Sequence, residues 1–93
     1  FQIDYEKKWN TIINCFHEIA SYAKDIKVSI EYKPYEPRAY SMIDSIGLAL
    51  LAIQEIGLPN LGVTLDFCHL LMKHENPAYS VPRACSACWY RRR

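Results

Sequence analysis

Apolar residues recur along the start of the chain at the spacing of one helix face. Trp9, Ile12, Ile13, Phe16, Ile19, Ala20 and Ala23 make a single stripe. Asp4 stands just before it, with a side-chain oxygen suited to a free N–H of a first turn. A helix over residues 5–24 is predicted, with Lys24 placed favourably against the helix dipole. The period then drops to two. Val28, Ile30 and Tyr32 alternate with Ser29, Glu31 and Lys33, a strand over 27–33 that Pro34 ends. Met42, Ile46, Ala49, Leu50, Ile53 and Ile56 return to helical spacing, predicting a helix over 39–56 stopped by Gly57 and Pro59. Leu61, Val63 and Leu65 alternate with Gly62, Thr64 and Asp66 in a second strand, 61–66. A last helical segment is expected from about Asn76, with Pro77 at its first position. It should be short or distorted, because Pro82 inside a helix costs about 3 kcal/mol.

The predicted order is α-β-α-β-α, which calls for parallel strands joined by helical crossovers. In each strand one face is apolar and the other is small or polar, with a carboxylate at or near the C-terminal end. A doubly wound sheet buries both faces and its strands read as apolar throughout. Strands whose outer face meets helices and whose inner rim carries polar groups belong to a (β/α)8 barrel. The fold class is therefore α/β, a partial (β/α)8 TIM barrel. Residues 1–80 make the barrel fragment, and 81–93 read as an irregular tail whose Arg, Cys, Ala and Pro suggest out-of-frame or vector-derived sequence. A full barrel takes about 250 residues, so 93 residues starting at Phe1 read as a piece of something larger.

Composition narrows the partners. A net charge of +1, with one basic cluster at Arg91–Arg93, gives no footprint for nucleic acid. Gln54 and Glu55 break the most apolar stretch, and the start, Phe1 to Trp9, is polar and mixed in charge, so no membrane span and no signal peptide are expected and the parent is read as cytoplasmic. Cys15, Cys68, Cys85 and Cys88 do not form a disulfide framework. Cys85 and Cys88 make a lone C-x-x-C without a second pair, read as chance spacing rather than a zinc site.

The chemistry concentrates at the strand ends. On neighbouring strands about 5 Å apart, Glu31 and Asp66 share one rim, and two close carboxylates repel unless a cation or proton lies between them. A hard divalent ion, Mn²⁺ or Mg²⁺, suits such an oxygen-rich pair. His69 lies three residues past Asp66, within reach of metal or substrate. Lys33 is two past Glu31, placed to polarise a carbonyl or hold a hydroxyl. Each residue also has a plainer explanation: Glu31 and Lys33 as a solvated strand face, Asp66 as a cap, His69 as a surface or core histidine. His17 and His74 carry no case for a site.

Glu31-Tyr32-Lys33-Pro34-Tyr35-Glu36-Pro37-Arg38 resembles the E-x-K-P segment of xylose isomerases and related sugar isomerases. Leu65-Asp66-Phe67-Cys68-His69 resembles the D-x-x-H segment of L-rhamnose isomerases and D-tagatose 3-epimerase-like enzymes. The resemblance implies Glu31 and Asp66 as metal ligands, His69 against substrate or a second metal, and Lys33 near the sugar carbonyl, with Glu31, Lys33 and His69 as the catalytic set. It implies a sugar as the parent's substrate, aldose–ketose interconversion or ketose epimerisation as the reaction, and further ligands from later strands that are missing here. The alternative is a barrel-type apurinic-site endonuclease, a zinc phosphodiesterase that also has D-x-x-H. Its first segment typically reads E-N-T rather than the E-Y-K of Glu31 to Lys33. The chain alone is expected to be inactive and to form a homo-oligomer, most simply a dimer, through open strand edges.

Overall fold

The computed structural model of the chain describes residues 3–35 and 41–87. Helix α1 (Tyr5–Tyr22) opens on Asp4, whose side chain accepts the Lys7 N–H at 3.0 Å, the cap expected from the sequence. Strand β1 (Val28–Glu31), helix α2 (Ile46–Ile56) and strand β2 (Leu61–Thr64) follow, and then helices α3 (Phe67–Met72) and α4 (Pro77–Ala87). The two strands pair in parallel, with Val28 opposite Leu61 and Glu31 opposite Thr64. Val28, Ile30 and Tyr32 on β1 and its extension, with Leu61 and Val63 on β2, lie towards the helices, while Ser29, Glu31 and Thr64 are exposed on the other face. One helix-covered face and one open polar face is what a barrel stave shows, with the polar face towards the barrel interior. The partial-barrel class holds.

The core gathers Ile30, Tyr32, Ile43, Ala49, Ala52, Ile56, Leu61, Val63 and Ala84, with Trp9, Ile12, Ile13 and Phe16 of α1 packed against it. Ile19, expected on the buried stripe of α1, is instead 53 % exposed. Its stripe has turned outward by the last turn of the helix, where only Ala20 is buried. The Trp9 indole N–H donates to the Glu55 carboxylate at 3.1 and 3.2 Å, which ties α1 to α2.

Several boundaries differ from the sequence expectation, each for a local reason. α1 ends at Tyr22 rather than 24. The Asn60 side-chain amide donates to the carbonyls of Ala20, Ala23 and Ile26 at 2.9–3.1 Å, drawing the chain out of the helix and onto the start of β2. Asn60→Ala is expected to lower stability by about 2 kcal/mol, since it strands these carbonyls beside the sheet; urea denaturation measures it. α2 starts at Ile46 because Ser45 is extended and its hydroxyl accepts the Leu48 N–H at 3.3 Å. Met42 is thereby left outside the helix, and residues 39 and 40 lie outside the described residues. The expected stop is present: Gly57 has φ 69°, a left-handed conformation in which a Cβ is strained. β1 ends at Glu31, and the Lys33 N–H turns away to the Ile43 carbonyl at 3.3 Å.

The largest correction is α3, which makes the order α-β-α-β-α-α. The sequence pattern predicts no element between the strand ending at Asp66 and the helix from about Asn76. Asp66 caps this short helix, accepting the N–H groups of Cys68 at 2.8 Å and His69 at 3.3 Å. At its other end His74 adopts φ 59°, its N–H bonds to Leu71 O, and the Glu75 N–H reaches back to Leu70 O at 3.1 Å. This is the paired Schellman closure, with histidine where glycine is usual.

α4 begins where expected, with the Asn76 side chain accepting the Ala78 N–H at 3.0 Å. It is neither short nor irregular from residue 81, but runs through Pro82 to Ala87. Pro82 is exposed, whereas Ser80 and Ala84 on either side are buried, so packing against α2 and β2 holds the segment helical despite the missing N–H. Among the described residues no helix is long and apolar enough to cross a membrane.

Candidate metal centre

Glu31 closes β1, and Asp66 lies two residues beyond Thr64, its partner in register on β2. Period-two alternation therefore sends both carboxylates to the open face at one rim. The cap of α3 then explains the D-x-x-H spacing physically. With Asp66 as N-cap, His69 occupies the third helical position, one turn on, and its own N–H bonds back to the Asp66 carboxylate. One local turn brings the imidazole beside the carboxylate.

Glu31, Asp66 and His69 each offer a ligand atom, and these atoms lie within 4.8 Å of one another. Donors about 2.1 Å from an ion stand at most about 4.2 Å apart, so small side-chain rotations would close the set. Glu31 is exposed, and Asp66 and His69 are half-buried. Both hydrogen bonds of the Asp66 cap use Oδ1, which leaves Oδ2 without one among the described residues. The cap and a cation can thus share one carboxylate.

His69 Nδ1 lies 2.9 Å from the Tyr32 carbonyl and 3.5 Å from Glu31 Oε2. A carbonyl only accepts, so this contact requires the proton on Nδ1 and puts the lone pair of a neutral imidazole on Nε2. Metal-binding and catalytic histidines are commonly fixed this way, one nitrogen donating to a carbonyl or carboxylate while the other works. The donor set fits a hard divalent ion: two carboxylates, with an imidazole beside them whose tautomer is already determined.

Lys33 lies past the end of β1, half-buried, its backbone tied to Ile43. Glu36, Pro37 and Arg38 of the E-x-K-P segment lie outside the described residues, as does Cys88 of the C-x-x-C. Cys15, Cys68 and Cys85 are free thiols. His17 accompanies Ser21 on α1, away from the rim.

Sequence reasoning missed the polar groups behind the rim. Ser29 and Thr64 meet hydroxyl to hydroxyl at 2.5 Å across the open face. The Tyr32 hydroxyl donates to Glu75 Oε1 at 2.5 Å, and the Ser80 hydroxyl donates to the same oxygen at 3.2 Å. Glu75 Oε2 accepts the Ile46 N–H at 2.9 Å. Tyr32 was legible only as a residue of the apolar face, and no spacing marked Glu75.

Burial pushes the Tyr32 phenol well above its ordinary value near 10, and the Glu75 carboxylate that accepts its hydrogen bond, with the charge of Asp66, pushes the same way. A raised folded value means that Tyr32's contribution to stability is whole below about pH 10 and is lost as pH climbs towards the folded value. Tyr32→Phe is expected to be less stable than the parent at neutral pH by about 1 kcal/mol. The gap should narrow above pH 10, a trend that denaturation at stepped alkaline pH reads directly.

A parallel, one-face-covered pair of βα units with carboxylates and a histidine at the C-terminal rim defines a piece of a (β/α) barrel. Comparison with known families agrees: residues 1–87 match the xylose isomerase-like TIM barrel, and the chain belongs to that family. No curated protein matches it.

Proposed function

We propose that this chain carries part of the site of a divalent-metal-dependent sugar isomerase or epimerase. The observation that carries the reading is the convergence of Glu31, Asp66 and His69 at one rim. The family takes in both sugar isomerases and apurinic-site endonucleases. Two features favour the sugar enzyme. The first segment reads Glu31-Tyr32-Lys33, and a chain of net charge +1 offers little to a polyanion. The oxygen-rich donor set also suits Mn²⁺ or Mg²⁺ better than zinc, which prefers nitrogen and sulfur.

Glu31 and Asp66 would hold the ion. When bound, it would fix adjacent sugar oxygens and polarise the carbonyl. Glu31 would also be the carboxylate that takes the proton from the carbon beside that carbonyl. His69, with its proton on Nδ1, would accept a hydrogen bond from a sugar hydroxyl at Nε2. Lys33 would donate to an oxygen near the carbonyl. The test is a panel of ketoses and aldoses titrated into the Mn²⁺-loaded chain, beside a duplex containing an abasic site with Zn²⁺. Mn²⁺-dependent sugar binding supports the reading, and zinc-dependent strand cleavage overturns it.

Two strands do not close a barrel, and we propose that the isolated chain is inactive and self-associates. Among the described residues β1 and β2 pair only with each other, so each presents an open edge. Tyr22, Ile26, Phe67 and Leu71 are exposed as well. A two-fold dimer is expected by sedimentation equilibrium; a strict monomer at high concentration contradicts it.

A further inference from the structure

Glu75 touches none of the three clustered donors, yet its contacts converge behind them. The left-handed turn at His74 closes α3 and directs Glu75 inward. There its carboxylate gathers the Tyr32 and Ser80 hydroxyls on Oε1 and the first N–H of α2 on Oε2. These groups come from the end of β1, from α4 and from α2, so one carboxylate joins three elements. Tyr32 is 1 % exposed, and its hydroxyl donates inward to Glu75 while its backbone carbonyl takes His69 Nδ1 at 2.9 Å. Tyr32 is also the residue after Glu31, so holding its ring steadies the backbone at the end of β1.

We propose that Glu75 is a positioning residue for His69: by fixing Tyr32 from behind, it sets the Tyr32 carbonyl that holds the imidazole in its Nδ1–H tautomer. The plain alternative is a staple that joins α2 and α4 and has no bearing on the imidazole. The two differ in a property other than stability. A staple's loss lowers the melting point and leaves the His69 tautomer alone; a positioning residue's loss changes the tautomer in a chain that is still folded. The importance of Nε2 for chemistry rests on the metal-site reading above, but the tautomer itself does not.

The experiment is nitrogen-15 NMR of the histidine rings in the 93-residue chain without metal, with His17 and His74 as internal references. Mn²⁺ titrations accompany it on the same samples. The parent chain should show His69 as Nδ1–H. Glu75→Gln and Tyr32→Phe should both shift it towards the Nε2–H form, and Mn²⁺ affinity should fall about 10-fold, the scale on which partners behind a ligand act. Tyr32→Phe removes a single hydroxyl and decides the matter if Glu75→Gln does not fold. A folded variant that keeps His69 as Nδ1–H overturns the proposal, as does a parent chain whose His69 is Nε2–H. A tautomer shift in the variants of a chain that ignores Mn²⁺ supports the proposal and counts against the metal reading alone.

Discussion

Asp66→Asn is expected to abolish Mn²⁺ binding while leaving the fold intact, and Asp66→Ala to remove binding and stability together. The difference follows from the two duties of one carboxylate. Oδ1 caps α3, accepting N–H groups from Cys68 and His69, and Oδ2 is the oxygen left for a cation. Asparagine keeps a capping oxygen and ranks with aspartate as an N-cap, whereas alanine loses the cap at about 1 kcal/mol. Neither variant supplies the negative charge that offsets a divalent ion beside Glu31. The affinity loss should exceed the roughly 10–100-fold typical of losing a partner behind a ligand. Mn²⁺ titration beside urea denaturation separates the two effects. If Asp66→Asn binds as tightly as the parent, the carboxylate serves the helix and nothing else.

Leu70→Ala is expected to cost about 3 kcal/mol, within the usual span for emptying a leucine site. Leu70 is fully buried, its N–H bonds to Asp66 O and its carbonyl receives the Glu75 N–H. It is the single buried residue of α3, so the helix that presents Asp66 and His69 rests on it. A chain of this size holds roughly 5–14 kcal/mol in all, and losing 3 of them approaches unfolding. Leu71→Ala, one position on and exposed, should stay within about 0.5 kcal/mol. Denaturation of the pair tests the packing of α3, and equal costs would mean that the helix is not anchored as described.

The strand faces were legible because alternation is a property of the residues themselves. Val28, Ile30 and Tyr32, and likewise Leu61 and Val63, went to the helices whatever the exact ends of the ladder. The rim carboxylates followed from the same alternation, so most of the candidate site could be read from the chain. The ends of helices were less legible, because side chains distant in sequence decide them: Asn60 takes the carbonyls of Ala20, Ala23 and Ile26, at and beyond the end of α1, from 34 to 40 positions away. α3 was invisible for a different reason. Six residues with one buried leucine give no period, and Phe67 and Leu71 are exposed. The available signal was Asp66 as an N-cap, and the D-x-x-H spacing had been read for its chemistry rather than its geometry. Pro82 shows the reverse error, a strong local penalty overruled by the burial of Ser80 and Ala84. Glu75 could not be found from spacing at all, since its importance comes from three groups that only the fold brings together.

Whether Glu31 and Asp66 hold a hard divalent cation is decided by calorimetric titration of Mn²⁺ into the parent chain. The expected result is one site per chain, displaced by Mg²⁺ and absent from the Glu31→Gln, Asp66→Asn double variant. Heat that is absent from the parent, or equal in parent and double variant, would contradict it.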